Sequence, residues 1–253
     1  MSTATRPPGR VKRLLYRYWA EPERKLAEDA RQFWSGNDGR RRDLSHWAGE
    51  GRWADRQQWR AVGESHFLMY RQLQMLAKQP ACGDVMLEWG PGGGANVVRF
   101  RHEFSTIYGV DISAPNLEEC KQQAAAEGFD RFHPILFDVD QPESVLDRIN
   151  EPINFLLCTA VYQHFPSVRY GNRVTKTVAQ LLAPKALAII QTRYSGTDPR
   201  FFRKFRDYRA NAVTFTSYDL EDFRKSLVSV GLEPLGIQLH PKTQYAFYLI
   251  RKG

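Results

Sequence analysis

Short apolar stretches alternate with amphipathic segments from residue 84 to residue 193. Five apolar stretches have the length of buried strands, at residues 85–89, 106–110, 134–137, 153–159 and 186–192. The segments between them carry helical spacing, at residues 95–103, 114–127, 143–149 and 173–182. This alternation predicts an α/β fold with a parallel sheet and helices on both faces.

The C-terminal segment follows a different pattern. Residues 216–219 (Thr-Ser-Tyr-Asp) have the spacing of a capping box, which predicts a helix from there to residue 230. Two strands are predicted at residues 233–240 and 243–250, and only Pro-Lys separates them. A connection that short joins antiparallel strands. We therefore expect a doubly wound, mostly parallel sheet whose last strand is antiparallel.

The N-terminal third is helical, basic and rich in tryptophan. Residues 11–33 and 56–78 carry apolar positions at helical spacing, and a loop is predicted at residues 35–42. Residues 1–80 contain 16 Lys and Arg against 9 Asp and Glu, and five of the six Trp, whereas the remainder has a net charge of +1. We divide the chain into a helical extension at residues 1–80 and an α/β domain at residues 81–253. The extension is expected either to form a lid over the site or to pack against the sheet.

Composition excludes several classes of protein. The chain has 253 residues, of which 42% are apolar, so it is too apolar to be disordered. No apolar run approaches the roughly 20 residues that span a bilayer, and the polar N-terminus lacks the apolar region of a secretion signal. Cys82, Cys120 and Cys158 lack CxxC spacing. We expect a cytoplasmic protein with reduced thiols; the oligomeric state stays open.

The most informative stretch is a glycine-rich turn after the first predicted strand. Gly90, Gly92 and Gly94 stand between this strand and a helix, where glycine lets the backbone approach a ligand closely. Asp111 ends the next strand, 21 residues after Gly90, where its carboxylate can bind a ribose diol. The pattern Gly90-x-Gly92-x-x-Ala95 also fits the dinucleotide fingerprint, so a nicotinamide-dependent dehydrogenase remains an alternative.

Glu88, two positions before the first glycine, favours a different family. The pattern Glu88-x-Gly90-x-Gly92-x-Gly94 resembles motif I of the class I S-adenosylmethionine (SAM)-dependent methyltransferases. The resemblance covers residues 85–251 and includes the antiparallel seventh strand. At residues 181–186, the chain reads Leu-Leu-Ala-Pro-Lys-Ala, with Lys-Ala in place of the usual Gly-Gly. The resemblance implies a Rossmann-like methyltransferase fold and SAM as cofactor.

The same resemblance assigns positions in the cofactor site. Asp111 matches the acid that binds the ribose hydroxyls, and Asp138 matches the acid that meets the adenine amino group. Their neighbours Ile112 and Val139, together with Thr159 at the end of the fourth strand, complete the implied cofactor-binding set.

The loop after the fourth strand carries the candidate chemistry. A hydroxyl acceptor is a poor nucleophile until its proton is removed, and His164 is a suitable general base there. The alternative is that His164 only shapes the pocket, and Tyr162 and Gln163 either orient the acceptor or pack. The loop lacks the [Asn/Asp]-Pro-Pro-[Tyr/Phe] motif of base N-methyltransferases. This absence favours a hydroxyl acceptor. The loop, residues 161–167 (Val-Tyr-Gln-His-Phe-Pro-Ser), resembles that of methyltransferases of sugars, glycans and secondary metabolites, and the resemblance implies O-methylation of such a hydroxyl.

Several alternatives stay open. Residues 197–213 interleave Arg200, Arg203 and other cations with aromatic residues, which suits either acceptor binding or an amphipathic helix with a solvated basic face. With the basic N-terminus, a helix at residues 200–209 would suit an RNA methyltransferase. Mg²⁺ on Asp138, Asp140 and His164 is possible, but no metal is predicted. A non-catalytic SAM-binding module is a further alternative.

Overall fold

The described residues form one seven-stranded sheet. The computed structural model describes residues 20–79 and 83–253. The strands are β1 Val85–Trp89, β2 Thr106–Asp111, β3 Phe132–Leu136, β4 Ile153–Cys158, β5 Leu182–Arg193, β6 Leu232–His240 and β7 Tyr245–Lys252. Their order is β3-β2-β1-β4-β5-β7-β6. The first five strands pair in parallel, and β7 lies antiparallel between β5 and β6. The predicted fold class is therefore confirmed.

Helices cover both faces of this sheet. They are α1 Glu23–Trp34, α2 Gly39–Leu44, α3 Arg56–Ala77, α4 Ala95–Phe100, α5 Ala114–Ala126, α6 Val168–Leu181, α7 Tyr208–Asn211 and α8 Leu220–Ser229. Neighbouring side chains of a strand point to opposite faces. Accordingly, Met86 of β1 packs in one core with α3, α4 and α5, whereas Leu87 packs in the other with α6 and α8. This places the sheet between two apolar layers.

Most predicted elements are present, with four differences. The loop predicted at residues 35–42 is shorter, because α2 begins at Gly39 with Asp38 as its N-cap. Asp219 is the N-cap of α8, since its carboxylate accepts from the amides of Glu221 and Asp222, whereas Thr216 donates to the Phe165 carbonyl instead. The helix predicted at residues 143–149 is a 3-10 helix at Pro142–Asp147. The prediction of a helix at residues 200–209 is wrong, because no continuous helix is observed there.

Residues 194–219 are mainly irregular. They contain the 3-10 helix Pro199–Phe201, the single turn of α7 and a further 3-10 turn, Ala212–Thr214. Lys204 donates its amide to the Phe215 carbonyl, so the chain folds back on itself there. The charged and aromatic residues of this segment therefore do not form one continuous helical face. We call residues 194–219 the insertion.

The N-terminal residues 20–79 pack on the rest of the chain through several elements. Tyr70 and Leu73 of α3 are buried in the sheet core. Leu26 and Phe33 of α1 pack against Tyr208 in the insertion. The helix predicted at residues 11–33 is observed as α1 from Glu23, and residues 11–19 lie outside the described part. Among the described residues, no helix is both long and apolar enough to cross a bilayer.

Candidate active site

The glycine-rich turn between β1 and α4 forms the floor of the site. Gly90, Gly92 and Gly94 have positive φ angles of 79°, 53° and 87°, a conformation that favours glycine. A Cβ atom on Gly92 would lie 2.5 Å from the carbonyl oxygen of Ser45. That same oxygen accepts the amide of Gly93 at 2.7 Å. The turn is thus covered closely by the segment between α2 and α3.

A cavity of about 380 Å³ opens above this turn at the carboxyl ends of β1, β2 and β4. That volume lies in the usual range for a small-molecule site, and this sheet edge is where such folds bind ligands. It brings together eight of the predicted site residues: Glu88, Gly90, Gly92, Asp111, Ile112, Val139, Thr159 and His164.

Glu88 is the most deeply buried acid of the cavity, with 1% of its surface exposed. Its Oε1 accepts from Asn96 Nδ2 at 2.6 Å, whereas Oε2 has no partner among the described residues. Burial raises the pKa of Glu88 to about 8, because the charged form loses its hydration. The Asn96 carbonyl oxygen lies 2.8 Å from Nδ1 of His66. One asparagine amide therefore connects Glu88 to α3.

Asp111 is held at the end of β2 by polar neighbours. Its Oδ1 accepts the amide of Ser113 at 2.9 Å, and its Oδ2 lies 3.5 Å from Asn116 Nδ2. Trp47 of the N-terminal part donates its indole N–H to Asn116 at 3.0 Å. Burial raises the pKa of Asp111 to about 6, so the carboxylate is mostly ionised at neutral pH. An ionised carboxylate can accept both hydrogen bonds of a ribose diol.

His164 lies in the 3-10 turn Tyr162–His164 after β4. Its Nδ1 lies 2.7 Å from the carbonyl oxygen of Ala212, which can only accept, so Nδ1 carries the proton. Burial lowers the pKa of His164 to about 4, which keeps the ring neutral. Nε2 is then the basic nitrogen. The side-chain amide of Gln163 donates to it across 3.2 Å.

Two aromatic residues, one from α1 and one from the insertion, contact His164. The ring of Trp34, the last residue of α1, lies 4.6 Å from the imidazole between centroids. Trp34 donates its N–H to Tyr208 Oη at 3.0 Å, and Tyr208 donates to the His164 carbonyl at 2.6 Å. The N-terminal part and the insertion therefore both fix the orientation of this histidine.

Other predicted site residues lie outside the cavity. Asp138 is exposed and accepts the amide of Asp140, while its neighbours Phe137 and Val139 line the cavity instead. Gly94 caps α4 and packs toward Cys120. Tyr162 is buried in the core, where its hydroxyl lies 2.9 Å from that of Thr175.

The predicted substrate arginines do not line the cavity either. Arg200 forms an ion pair with Asp198 at 2.6 Å, and the exposed Arg203 lies beside a separate shallow pocket. Gln163 is 1% exposed and reaches the site only through His164. The four residues predicted for the acceptor therefore all lie outside the lining of the cavity.

Sequence reasoning allowed for a lid in the N-terminal part but named no site residue there. Trp34, Ser45, His46, Val62 and His66 line the cavity beside residues from the sheet and insertion. One signal was present for His66. It falls on the same helical stripe as the buried Trp59, Tyr70 and Leu73, where a histidine is out of place unless it has a polar partner.

The cavity is lined by acids, histidines and aromatic rings. Within residues 20–79 and 83–253, no Lys or Arg side chain lines it, whereas His46, His66 and His164 do. Burial lowers the pKa of all three histidines, to about 4 for His46 and His164. In the same part of the chain, no three His, Cys, Asp or Glu side chains are grouped to hold a metal, so Asp138, Asp140 and His164 do not form such a set.

Comparison with known proteins agrees with this geometry. A family model described as "Methyltransferase domain" matches residues 40–235, more than half of the chain. The chain belongs to this methyltransferase family. Its cofactor is SAM, and the dehydrogenase alternative is discarded. No curated protein matches the sequence.

Solved structures share the fold of this methyltransferase at low identity. An S-adenosylmethionine-dependent methyltransferase from Clostridium acetobutylicum is 15% identical, with 76% of this chain and 92% of that chain covered and a TM-score of 0.57. The N-methyltransferase NodS from Bradyrhizobium japonicum, in complex with S-adenosylhomocysteine (SAH), is 13% identical, with 73% and 85% covered and a TM-score of 0.53. An O-methyltransferase family protein from Burkholderia thailandensis is 15% identical, with 81% and 63% covered and a TM-score of 0.53. The chain thus spans less than two thirds of the Burkholderia protein's length.

The residues of the methyltransferase fit its cofactor. Glu88 offers an unpaired, buried carboxylate oxygen that is matched to the positive charge of the methionyl end of SAM. Asp111 offers an ionised carboxylate for the ribose hydroxyls, and Phe137 offers an aromatic face beside Ile112 and Val139 for the adenine. Gly90 and Gly92, with their positive φ angles, would let the backbone approach the methionyl end.

Proposed function

We propose that the methyltransferase O-methylates a hydroxyl group of an uncharged, ring-bearing acceptor, either a sugar or glycan unit or a secondary metabolite, with His164 as general base. The observation that carries this proposal is the hydrogen bond from His164 Nδ1 to the Ala212 carbonyl. It leaves Nε2 unprotonated in a neutral ring on the wall of the cavity.

The chemistry of the acceptor supports this role. SAM, when bound, supplies a methyl group on a positively charged sulfur. A hydroxyl oxygen attacks such a carbon well only as its proton leaves, and His164 Nε2 accepts that proton. The acceptor hydroxyl competes with the long hydrogen bond from Gln163 to this nitrogen. The rest of the rate gain comes from holding the acceptor in line.

The wall of the cavity supports an uncharged ring-bearing acceptor. Trp34, Phe165, Tyr208, Tyr245 and Phe247 present aromatic surface, on which sugar or aromatic rings stack. An acceptor that carries phosphate would lack a cationic partner on the described wall. Nothing observed favours RNA over this acceptor class.

The basic, Trp-rich N-terminal extension acts, in this proposal, as the cover of the site. Ser45 contacts the glycine-rich turn, and Trp34 contacts the catalytic histidine. The cover therefore borders both the cofactor and the acceptor, and the α/β domain supplies the floor.

The test is methyl transfer to a panel of sugars, glycans and phenolic metabolites, comparing the wild type with His164→Asn. Asparagine keeps a donor near the position of Nδ1 but has no nitrogen at the position of Nε2. We expect kcat to fall by about 10²- to 10⁴-fold, while SAH affinity stays unchanged. The control is His133→Asn, a change of an exposed histidine that stacks on Tyr108 outside the cavity. Equal turnover of the two variants would contradict the role of His164.

A further inference from the structure

His66 of α3, Asn96 of α4 and Glu88 of β1 form a second polar cluster, apart from His164, on the wall of the cavity. Asn96 connects the other two residues through hydrogen bonds of 2.6 Å and 2.8 Å. Helices α3 and α4 pack closely, since a Cβ atom on Gly63 of α3 would collide with the carbonyl oxygen of Ala95 in α4. The cluster is therefore held in place by the fold.

The directions of these hydrogen bonds fix which atoms remain available. Glu88 Oε1 accepts, so the Asn96 side chain turns its NH₂ group toward it and its carbonyl oxygen toward His66. A carbonyl oxygen needs a donor, so His66 carries its proton on Nδ1. Burial lowers the pKa of His66, which keeps the ring neutral. Its Nε2 is then a lone-pair acceptor without a hydrogen bond to any described residue.

Two atoms without a hydrogen-bond partner thus lie on either side of one asparagine amide: Nε2 of His66, which is an acceptor, and Oε2 of Glu88, which becomes one when the carboxyl group is ionised. No Lys or Arg of the described wall compensates for them. This part of the cavity wall, at His66 and Glu88, favours a ligand group that is positively charged and has several N–H donors, and an ammonium group is such a group. A ligand carboxylate is disfavoured, because it would meet Glu88 and a lone pair.

We propose that His66 is a cofactor-binding residue, whose Nε2 accepts a hydrogen bond from the α-ammonium group of the cofactor beside Oε2 of Glu88. The inference goes beyond the proposed function, since it depends on SAM as cofactor and not on the acceptor or on the base. Asn96 is a positioning residue here, because its hydrogen bonds orient the side chains of His66 and Glu88 and leave Nε2 and Oε2 available.

Three ligands separate the ammonium from the rest of the cofactor. SAH carries the whole amino-acid end, its decarboxylated analogue keeps the amine alone, and 5′-methylthioadenosine has neither group. Calorimetric titration of each ligand is compared between the wild type and His66→Asn. Asparagine keeps a donor near Nδ1 for Asn96 but removes the nitrogen at the position of Nε2. The matched control is His164→Asn, which removes Nε2 from another histidine of the cavity.

We expect His66→Asn to weaken SAH and the decarboxylated analogue by about 10- to 100-fold, as for a lost hydrogen bond to a charged group, and to leave 5′-methylthioadenosine unchanged. His66→Gln, which returns an amide near the position of Nε2, should recover part of the loss. Equal weakening of all three ligands would show a general disturbance of the site and would overturn the proposal. So would unchanged SAH binding in His66→Asn, whatever the outcome for methyl transfer.

Discussion

Binding of the cofactor should release a proton from Glu88. This residue lines the cavity, and its buried carboxyl group has one oxygen, Oε2, without a hydrogen-bond partner among the described residues. Its neighbours do not compensate its charge: Asp111 is another acid, and burial raises the pKa of Cys120 and Cys158, which keeps these thiols neutral. Because the pKa of Glu88 is raised to about 8, the free protein holds a proton there at pH 7. A ligand ammonium group favours the ionised form, so the proton leaves.

The size of this release follows from the pKa. At pH 7, the group is about 0.9 protonated in the free protein, and at pH 8 about 0.5, so SAH binding should release about those numbers of protons. Asp111, with a pKa of about 6, adds only about 0.1 at pH 7. Binding of 5′-methylthioadenosine, which has the ribose but no ammonium, should therefore release about 0.1.

Calorimetric titrations in buffers of different ionisation enthalpy measure the number of protons directly. Glu88→Gln, which has no proton to lose, should bind SAH more weakly and release no more protons than 5′-methylthioadenosine does from the wild type. The reasoning is refuted if wild-type SAH binding at pH 7 releases no more protons than 5′-methylthioadenosine binding. Glu88 would then either stay protonated or be ionised already in the free protein.

Two further predictions concern stability and the cover of the site. The pKa of Glu88 is higher in the folded than in the unfolded protein, so the stability that this group contributes at low pH is lost as the pH rises through 8. Relative to Glu88→Gln, the ligand-free wild type should therefore lose about 1.4 kcal/mol of unfolding free energy between pH 7 and pH 9. Urea denaturation at the two pH values measures this loss. Trp34→Phe keeps an aromatic ring against His164 but loses the hydrogen bond from the indole N–H to Tyr208. It should raise the KM for the acceptor and lower kcat, while the Kd for SAH stays constant. A changed Kd with an unchanged kcat would contradict this placement of Trp34.

The sheet and the floor of the site were predictable because their signals are local. The alternation of apolar stretches and the spacing from Glu88 to Asp111 can each be recognised within a short stretch of sequence. The structure places both acids in the cavity. Asp138 shows where this reasoning ends. The end of β3 was placed well, but the chain turns so that Phe137 and Val139 face the cavity and the acid faces solvent.

The walls of the site were not predictable from local patterns, because they depend on contacts between distant segments. Trp34 reaches Tyr208 across 174 positions, and His66 reaches Asn96 across 30. The irregular insertion is held by such contacts too, since Glu21 accepts the amide of Asp207 and donates its own amide to the Phe205 carbonyl. Helical propensity alone could not anticipate that these contacts, rather than a helix, organise residues 200–209.

The described part of the N-terminal extension contacts the cavity both at the glycine-rich turn and at His164. Ser45 and His66 border the glycine-rich turn and Glu88, while Trp34 borders His164. Any displacement of α1 relative to the sheet would change the surroundings of the proposed base, whereas α3 is anchored in the sheet core through Tyr70 and Leu73. The cofactor end should therefore persist when the acceptor end opens. This arrangement suits an enzyme that binds its cofactor on a fixed floor and admits its acceptor under α1.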